Sequence, residues 1–309
     1  MCNYSIQHYE ISSQFWNGCE NNKEYVFINE NGSYNECGIK KALERAFVDL
    51  TARTLKRKTN NDKLYESLFP ELRGHIIEWF DNGISCCKDN ANEMLEDYNK
   101  WHKKTCGCVL EFLNKHYDDR DEIDKKVKYG KAQKIVNMTM KGLYCMKGAD
   151  KKEEHFKPLH IALDSFTLEW VYRYVFKYQN NKSKYHNEND TPDQEKLKKM
   201  NMLSWSKLPR ERKDSFYGYY EYVQWIHDYF YGKETPCQYK DSSGNLLTPF
   251  QAEFYIWKEM QIHMSAESLY SILNDEINSN IKNSVFKSAS VCDKMKYLNE
   301  TISKLNSKI

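Results

Sequence analysis

Apolar side chains along this chain recur at helical intervals, and few stretches alternate. Ile39, Ala42, Leu43, Ala46, Phe47, Leu50 and Leu55 advance by three and four residues, which predicts an amphipathic helix from 39 to about 57. Two short helices are expected on either side of Pro70, the second carrying Ile76, Ile77, Trp79 and Phe80. The longest clear period, Met94, Leu95, Tyr98, Trp101, Val109, Phe112 and Leu113, predicts a core helix over 90–117. Further helices are predicted over 132–146 and 165–179. Residues 180–201 hold almost nothing that can be buried and read as a mobile loop or linker. Beyond them Asp214 suits the N-cap of an aromatic-rich helix. Thr248, Pro249 and Gln251 form a capping box with proline at the first helical position.

Strand signals are sparse. Asn31-Gly32, between short β-prone pieces of YVFINENGSY, predicts a small hairpin inside an otherwise irregular segment 1–38. With no strand series and no β–α alternation, the expected class is mainly α: a multi-helical globular fold with a small N-terminal hairpin and a long C-terminal helix. Its parts would be the segment 1–38, a helical core over 39–179, the polar loop 180–201, an aromatic-rich helical region over 202–264 that packs on the core, and a helical segment 265–309. In the last part Ile277, Ile281, Ser284, Ser288, Val291, Met295, Leu298, Ile302, Leu305 and Ile309 alternate four- and three-residue steps. That is the spacing of a coiled-coil seam, which would pack on the body or join two copies as a homodimer.

Composition narrows the class. The 309 residues are 40% hydrophobic and 29% charged with a net charge of +2, which excludes a histone-like polycation but leaves room for a local basic face. Aromatic residues reach 14%, enough bulk for a core, so wholesale disorder is excluded. Only 12 Gly and 6 Pro argue against a turn-dense sandwich or barrel. No apolar run is long enough for a membrane span, and the first residues, MCNYSIQHYEISSQFW, hold no basic region followed by an apolar one, so no secretory signal is expected. Ten cysteines are too sparse for a disulfide scaffold, which fits a cytoplasmic chain with reduced thiols. Cys86, Cys87, Cys106 and Cys108, with His102 and His116 nearby, do not present the paired knuckles that zinc prefers, so no metal is expected. Nor is a cofactor, since no Gly-rich phosphate loop, His-Glu-x-x-His or nucleophile elbow is present.

One segment carries chemistry. Lys125, Lys126, Lys128, Lys131, Lys134, Lys141 and Lys147 fall between 125 and 149 without an acid until Asp150, a local field that would attract a phosphodiester backbone. DEIDKKVKYGKAQKIVNM reads as a short helix, a tight turn at Tyr129–Lys131 and a second helix from Ala132. This resembles the helix-hairpin-helix of the DNA glycosylase superfamily that includes endonuclease III and 8-oxoguanine glycosylase. Gly130 takes the place of the first hairpin glycine and Lys134 that of the lysine opening the second helix, while HIALDSFTLEWVYR supplies the apolar pair, the acid Asp164 and a following helix. Tyr129 stands where the family has proline, Ala132 replaces its second glycine, and the interval from Lys134 to Asp164 is longer.

The resemblance covers residues 120–170 and implies DNA as partner. Lys126, Lys128, Gly130, Lys131 and Lys141 would bind the backbone, and Lys134 and Asp164 would be catalytic. Lysine would attack the sugar as a neutral amine and Asp164 would stabilise the developing positive charge. The plainer reading is a lysine face balanced by acids from elsewhere and an Asp164 that only caps a helix. Glu253 with Lys258, and Asp193 near Glu195, read as ordinary surface charges, and Tyr217, Tyr220, Trp225, Tyr229 and Phe230 as core. The alternative function is a non-catalytic interaction or accessory protein that acts through its C-terminal helix.

Overall fold

The computed structural model describes residues 25–58, 64–83, 91–120, 122–176, 203–232, 239–241 and 244–282, the side chains of 52, 53, 65 and 266–282 excepted. The polar stretch 180–201, Cys86 and Cys87, Asp193 and Glu195, and the side chains of the C-terminal seam lie outside this set. The described chain is mainly helical. Its helices are α1 (Glu36–Thr54), α2 (Tyr65–Asn82), α3 (Ala91–His116), α4 (Tyr129–Tyr144), α5 (Glu153–Phe156), α6 (Ser165–Trp170), α7 (Tyr219–Tyr231) and α8 (Pro249–Lys282). Contacts divide the chain into 1–257 and 258–309, and the described part of the second unit is the end of α8.

Helix α4 lies at the centre of the first unit. It packs on α1 and α3 and is covered near its start by a 3-10 turn at Trp205–Lys207. All its residues except Met138 are buried, so Lys131, Gln133, Lys134, Asn137, Thr139 and Lys141 are interior polar groups, each in need of a partner. Around this helix the core is strongly aromatic. Trp79 and Tyr98 meet edge to face with centroids 5.0 Å apart, and Phe27, Phe80 and Phe156 form a second cluster.

Several boundaries follow local chemistry. The Asn35 side chain accepts from Gly38 N and starts α1, and Thr248 and Gln251 form the expected box at the start of α8. At Asn31-Gly32 the chain turns with Gly32 at φ 86°, held by one antiparallel bridge, Ile28 to Tyr34, rather than by paired strands.

Other expectations are corrected. The helix over 39–57 ends at Thr54, because Leu55–Arg57 becomes strand β1, antiparallel to β2 (Tyr117–Asp119). Instead of two helices flanking Pro70 there is one, α2, with Pro70 in its second turn, where the missing N–H interrupts the ladder only once. The aromatic helix begins at Tyr219 under Gly218, whose N–H donates to the Glu221 carboxylate at 2.9 Å, while Asp214 lies upstream with a positive φ of 55°. The helix after Asp164 is regular to Trp170 and widens into a π-type turn over Val171–Phe176.

The correction with most bearing on function is at the lysine run. The described residues 122–128 form no helix: they turn and extend, with Lys125 at φ 56°. That stretch offers only Ile123 and Val127 for burial, and Ile123 is fully exposed, so a helix there would have no apolar face to dock. Helix α4 then starts at Tyr129 and includes Gly130, so the expected turn over Tyr129–Lys131 is instead helical.

Candidate functional site

Lys134 and Asp164, thirty residues apart in sequence, meet at 2.7 Å (Nζ to Oδ2). Their side chains keep 11% and 13% exposure, the most of the three interior lysine–acid pairs along α4. Lys134 Nζ also lies 5.7 Å from the centre of the Trp205 ring. Asp164 is the N-cap of α6, its Oδ1 accepting from Phe166 N and Thr167 N at 3.0 Å each, while Thr167 Oγ1 accepts from Asp164 N at 2.7 Å. Burial alone pushes the Asp164 carboxyl up. The Lys134 charge and hydrogen bond, with the Thr167 N–H, outweigh it and hold the group below the ordinary aspartate range. Asp164 is therefore both a cap and an ionised partner.

The remaining predicted binding residues occupy different environments. Lys131 is wholly buried, donating to Asp119 Oδ1 at 2.6 Å and the Thr54 carbonyl at 3.3 Å. Lys141 is buried against Glu253 at 2.7 Å, and the other Glu253 oxygen accepts from Ala162 N at 3.0 Å. Glu253 is thus an interior anchor, correcting its reading as a surface charge; Lys258 is exposed. The Gly130 N–H donates to the Leu208 carbonyl at 3.0 Å, and a Cβ there would lie 1.8 Å from the Trp205 carbonyl oxygen. Gly130 is required for that close approach, and its N–H cannot cradle a phosphate, contrary to the role expected of it.

Of the five expected backbone contacts, Lys126 is exposed and Lys128 half-buried between Asp124 and Glu122. Glu122 also pairs with Lys207 at 3.4 Å, which brings the 203–214 segment beside 122–128. Together these two segments hold seven cations and four acids. The exposed cations of these segments are Lys125 and Lys126 together with Lys207, Arg210, Arg212 and Lys213, the last four from a stretch the sequence reading did not select.

A second group of residues had no motif to mark it. Gln133 and Asn137, one turn apart on α4, anchor a hydrogen-bond chain whose direction can be derived. Gln133 Nε2 donates to the carbonyls of Gly130 and Leu163, both at 2.9 Å, and these groups only accept. Its Oε1 therefore accepts, from Asn137 Nδ2 at 2.9 Å and Leu163 N at 3.4 Å. That leaves Asn137 Oδ1 to accept from His102 Nε2 at 3.0 Å, so the proton of His102 is on Nε2. His102 Nδ1 then accepts from Tyr220 OH at 2.9 Å, and Tyr220 accepts from Tyr129 OH at 2.9 Å. On the other branch Asn137 Nδ2 donates to Tyr219 OH at 2.9 Å, and that hydroxyl gives its own proton to His160 Nδ1 at 3.0 Å. Both imidazoles are neutral: His102 is the Nε2–H tautomer, and His160 is the same when the Tyr219 hydroxyl proton is given its acceptor at Nδ1. Burial enforces this, pushing His102 down to about 3 and His160 well below the ordinary histidine range.

The thiols divide between these environments. Cys106 Sγ lies 3.4 Å from His102 Nε2, and burial holds its thiol protonated. Glu71, His75 and Cys108 bring one ligand atom each within 4.8 Å of one another. There burial, then the Glu71 carboxylate, pushes the Cys108 thiol up to about 12, the opposite of a metal-ready thiolate. Of the aromatic stripe, Tyr229 and Phe230 are core, while Tyr217, Tyr220 and Trp225 are half-buried. Among the described helices none is long and apolar enough to cross a membrane. No family model, curated protein or solved structure matches this chain.

Proposed function

We propose that this chain binds nucleic acid and acts on it as a base-excision enzyme of the glycosylase kind, with Asp164 and Lys134 as its central pair. The observation that carries the reading is their 2.7 Å contact at a part-exposed position beside Trp205, with the exposed cations of 207–213 on the flanking segment. A carboxylate held ionised is the form needed to stabilise positive charge developing on a sugar. The ion pair also refines the division of labour. The Lys134 Nζ is already committed as a donor to Asp164 Oδ2 at 2.7 Å, so it is placed to hold the carboxylate rather than to attack. Asp164 is thus the group that faces the sugar and Lys134 the residue that positions it, a monofunctional rather than lyase-type arrangement.

A second reading rests on one observation. Lys134–Asp164 is one of three lysine–acid pairs along α4, and the other two are plainly structural. If all three are, the chain is a non-catalytic interaction or accessory protein. The test uses the full chain on labelled duplexes carrying uracil, 8-oxoguanine or an abasic site, with retention on heparin measured alongside. The expected result is retention, base release by the wild type, and loss of release with unchanged retention in Asp164→Asn. A covalent adduct at Lys134 after borohydride treatment would reverse the assigned roles. Absence of both retention and release leaves the second reading.

A further inference from the structure

The hydrogen-bond chain does not close on itself. It begins at Tyr129 and ends at His160, whose Nδ1 accepts from Tyr219 and whose Nε2 has no protein partner although the residue is only 4% exposed. His160 Nδ1 is the acceptor the structure offers the Tyr219 hydroxyl proton, and with that bond made His160 is the Nε2–H tautomer and its unpartnered atom a donor. A buried donor without an acceptor is costly, and native folds rarely leave one without a purpose. His160 lines a cavity of about 340 Å³, within the range of small-molecule sites. His227, also buried, lines it as well and has an unpartnered Nε2 of its own. The rest of the wall is largely apolar, including Leu95, Leu159, Val223 and Ile226 from three parts of the chain. The two charges on the wall, Glu154 and Lys157, pair with each other and give the cavity no net sign.

The geometry points to a binding site for a small uncharged ligand, mainly apolar, that presents a hydrogen-bond acceptor such as a carbonyl to His160 Nε2–H. An anionic ligand would find no unmatched cation among these lining residues, and a cationic one no unmatched acid. A neutral imidazole orients such a ligand without the desolvation cost of a buried charge. Asn137 and Gln133 act on this site through Tyr219, since they decide which nitrogen of His160 keeps the proton. The site involves neither Lys134 nor Asp164, so it stands whether or not the chain acts on nucleic acid.

The probes are acetophenone and isopropenylbenzene, which match in shape and differ in having C=O or C=CH₂. Binding is followed by ligand-detected NMR and by the ¹⁵N shift of His160 Nε2 in the full chain. Acetophenone should saturate and move the His160 signal, and isopropenylbenzene should bind at least about tenfold more weakly, the order of effect of a buried donor left unpaired. His160→Phe should bind both probes equally, and Val223→Phe, which fills the cavity without touching the imidazole, should bind neither. Should His160→Phe fail to fold, the wild-type shift and Val223→Phe still decide the matter. Equal affinity of the wild type for both probes, or no saturation by acetophenone up to about 10 mM, overturns the assignment.

Discussion

Helix α4 carries two adjacent rows of buried polar residues that solve the same problem in different ways. Lys131, Lys134 and Lys141 are each paired with a carboxylate, from β2, from the cap of α6 and from α8. Gln133 and Asn137 bear no charge and join backbone carbonyls, two histidines and three tyrosines into one directional chain. A buried charge loses several kcal/mol of solvation and needs a partner at contact, so the lysine row pins three distant segments to α4. Neutral groups lose less and tolerate branching, so the amide row sets tautomers rather than positions. The lysine row is a set of tie points; the amide row is a wire with one open end.

Breaking the deepest tie point should have the largest effect. Lys131→Met removes the ammonium that lies 2.6 Å from the buried Asp119 carboxylate and should cost about 3–5 kcal/mol in chemical denaturation. Lys131→Met with Asp119→Leu should recover most of that loss, because the apolar pair needs no solvation. If the single and double variants are equally destabilised, the pair is not coupled and the contrast between the rows is wrong.

The amide row should be less sensitive. Asn137→Leu leaves His102 Nε2–H without its acceptor and Tyr219 without a donor, about 2–4 kcal/mol from two neutral groups at roughly 1–2 each. The His160 proton should then redistribute between its nitrogens, visible in ¹⁵N shifts of the ring. An unchanged His160 spectrum would show that the tautomer is set elsewhere.

Sequence periodicity foresaw the helices whose burial is one-sided. The α3 stripe from Leu95 to Leu113, the Thr248 box and the Asp164 cap are all local patterns, and each is present. What failed is what depends on distant partners. Lysines on a helix read as a solvated face until Asp119, Asp164 and Glu253 are brought to them, and nothing local announces those acids. The only trace was that the same helix is apolar at Ile135, Val136, Met140 and Leu143 with no fully exposed side. His102 and His160 left still less: single histidines, with Gln133 and Asn137 at helical spacing within an apolar run as the one available hint.

Acid should separate the rows at intermediate strength. His102 titrates at about 3 in the fold against 6.5 when free, and His160 is also lowered, burial being the main cause in both. Their contribution to stability is therefore complete above pH 6.5, where folded and unfolded states are both neutral. It is lost as pH falls below 6.5 and the unfolded chain takes up protons that the fold refuses. Each histidine should add about 1.4 kcal/mol per pH unit to that decline. His102→Gln, which keeps a donor for Asn137, should remove about one such increment from the slope. A flat profile from pH 6.5 to 5 would mean that the imidazoles are open to solvent.

The smallest effect on stability should come from the pair with the largest proposed role. Asparagine caps a helix as well as aspartate does, so Asp164→Asn keeps the bonds to Phe166 and Thr167 and loses only the charge. Lys134, with 11% of its side chain exposed, can then reach water, unlike Lys131. The expected loss is therefore below about 1 kcal/mol, against 3–5 for an interior tie. Asp164→Ala adds the missing cap, about 1 kcal/mol more. Because the folded carboxyl is held below its ordinary 3.8, the gap between wild type and Asp164→Asn should be constant at neutral pH and close as pH falls through that lowered value. A loss for Asp164→Asn as large as that for Lys131→Met would make Lys134–Asp164 a third structural tie. A small loss of stability with complete loss of base release would set the pair apart from its row.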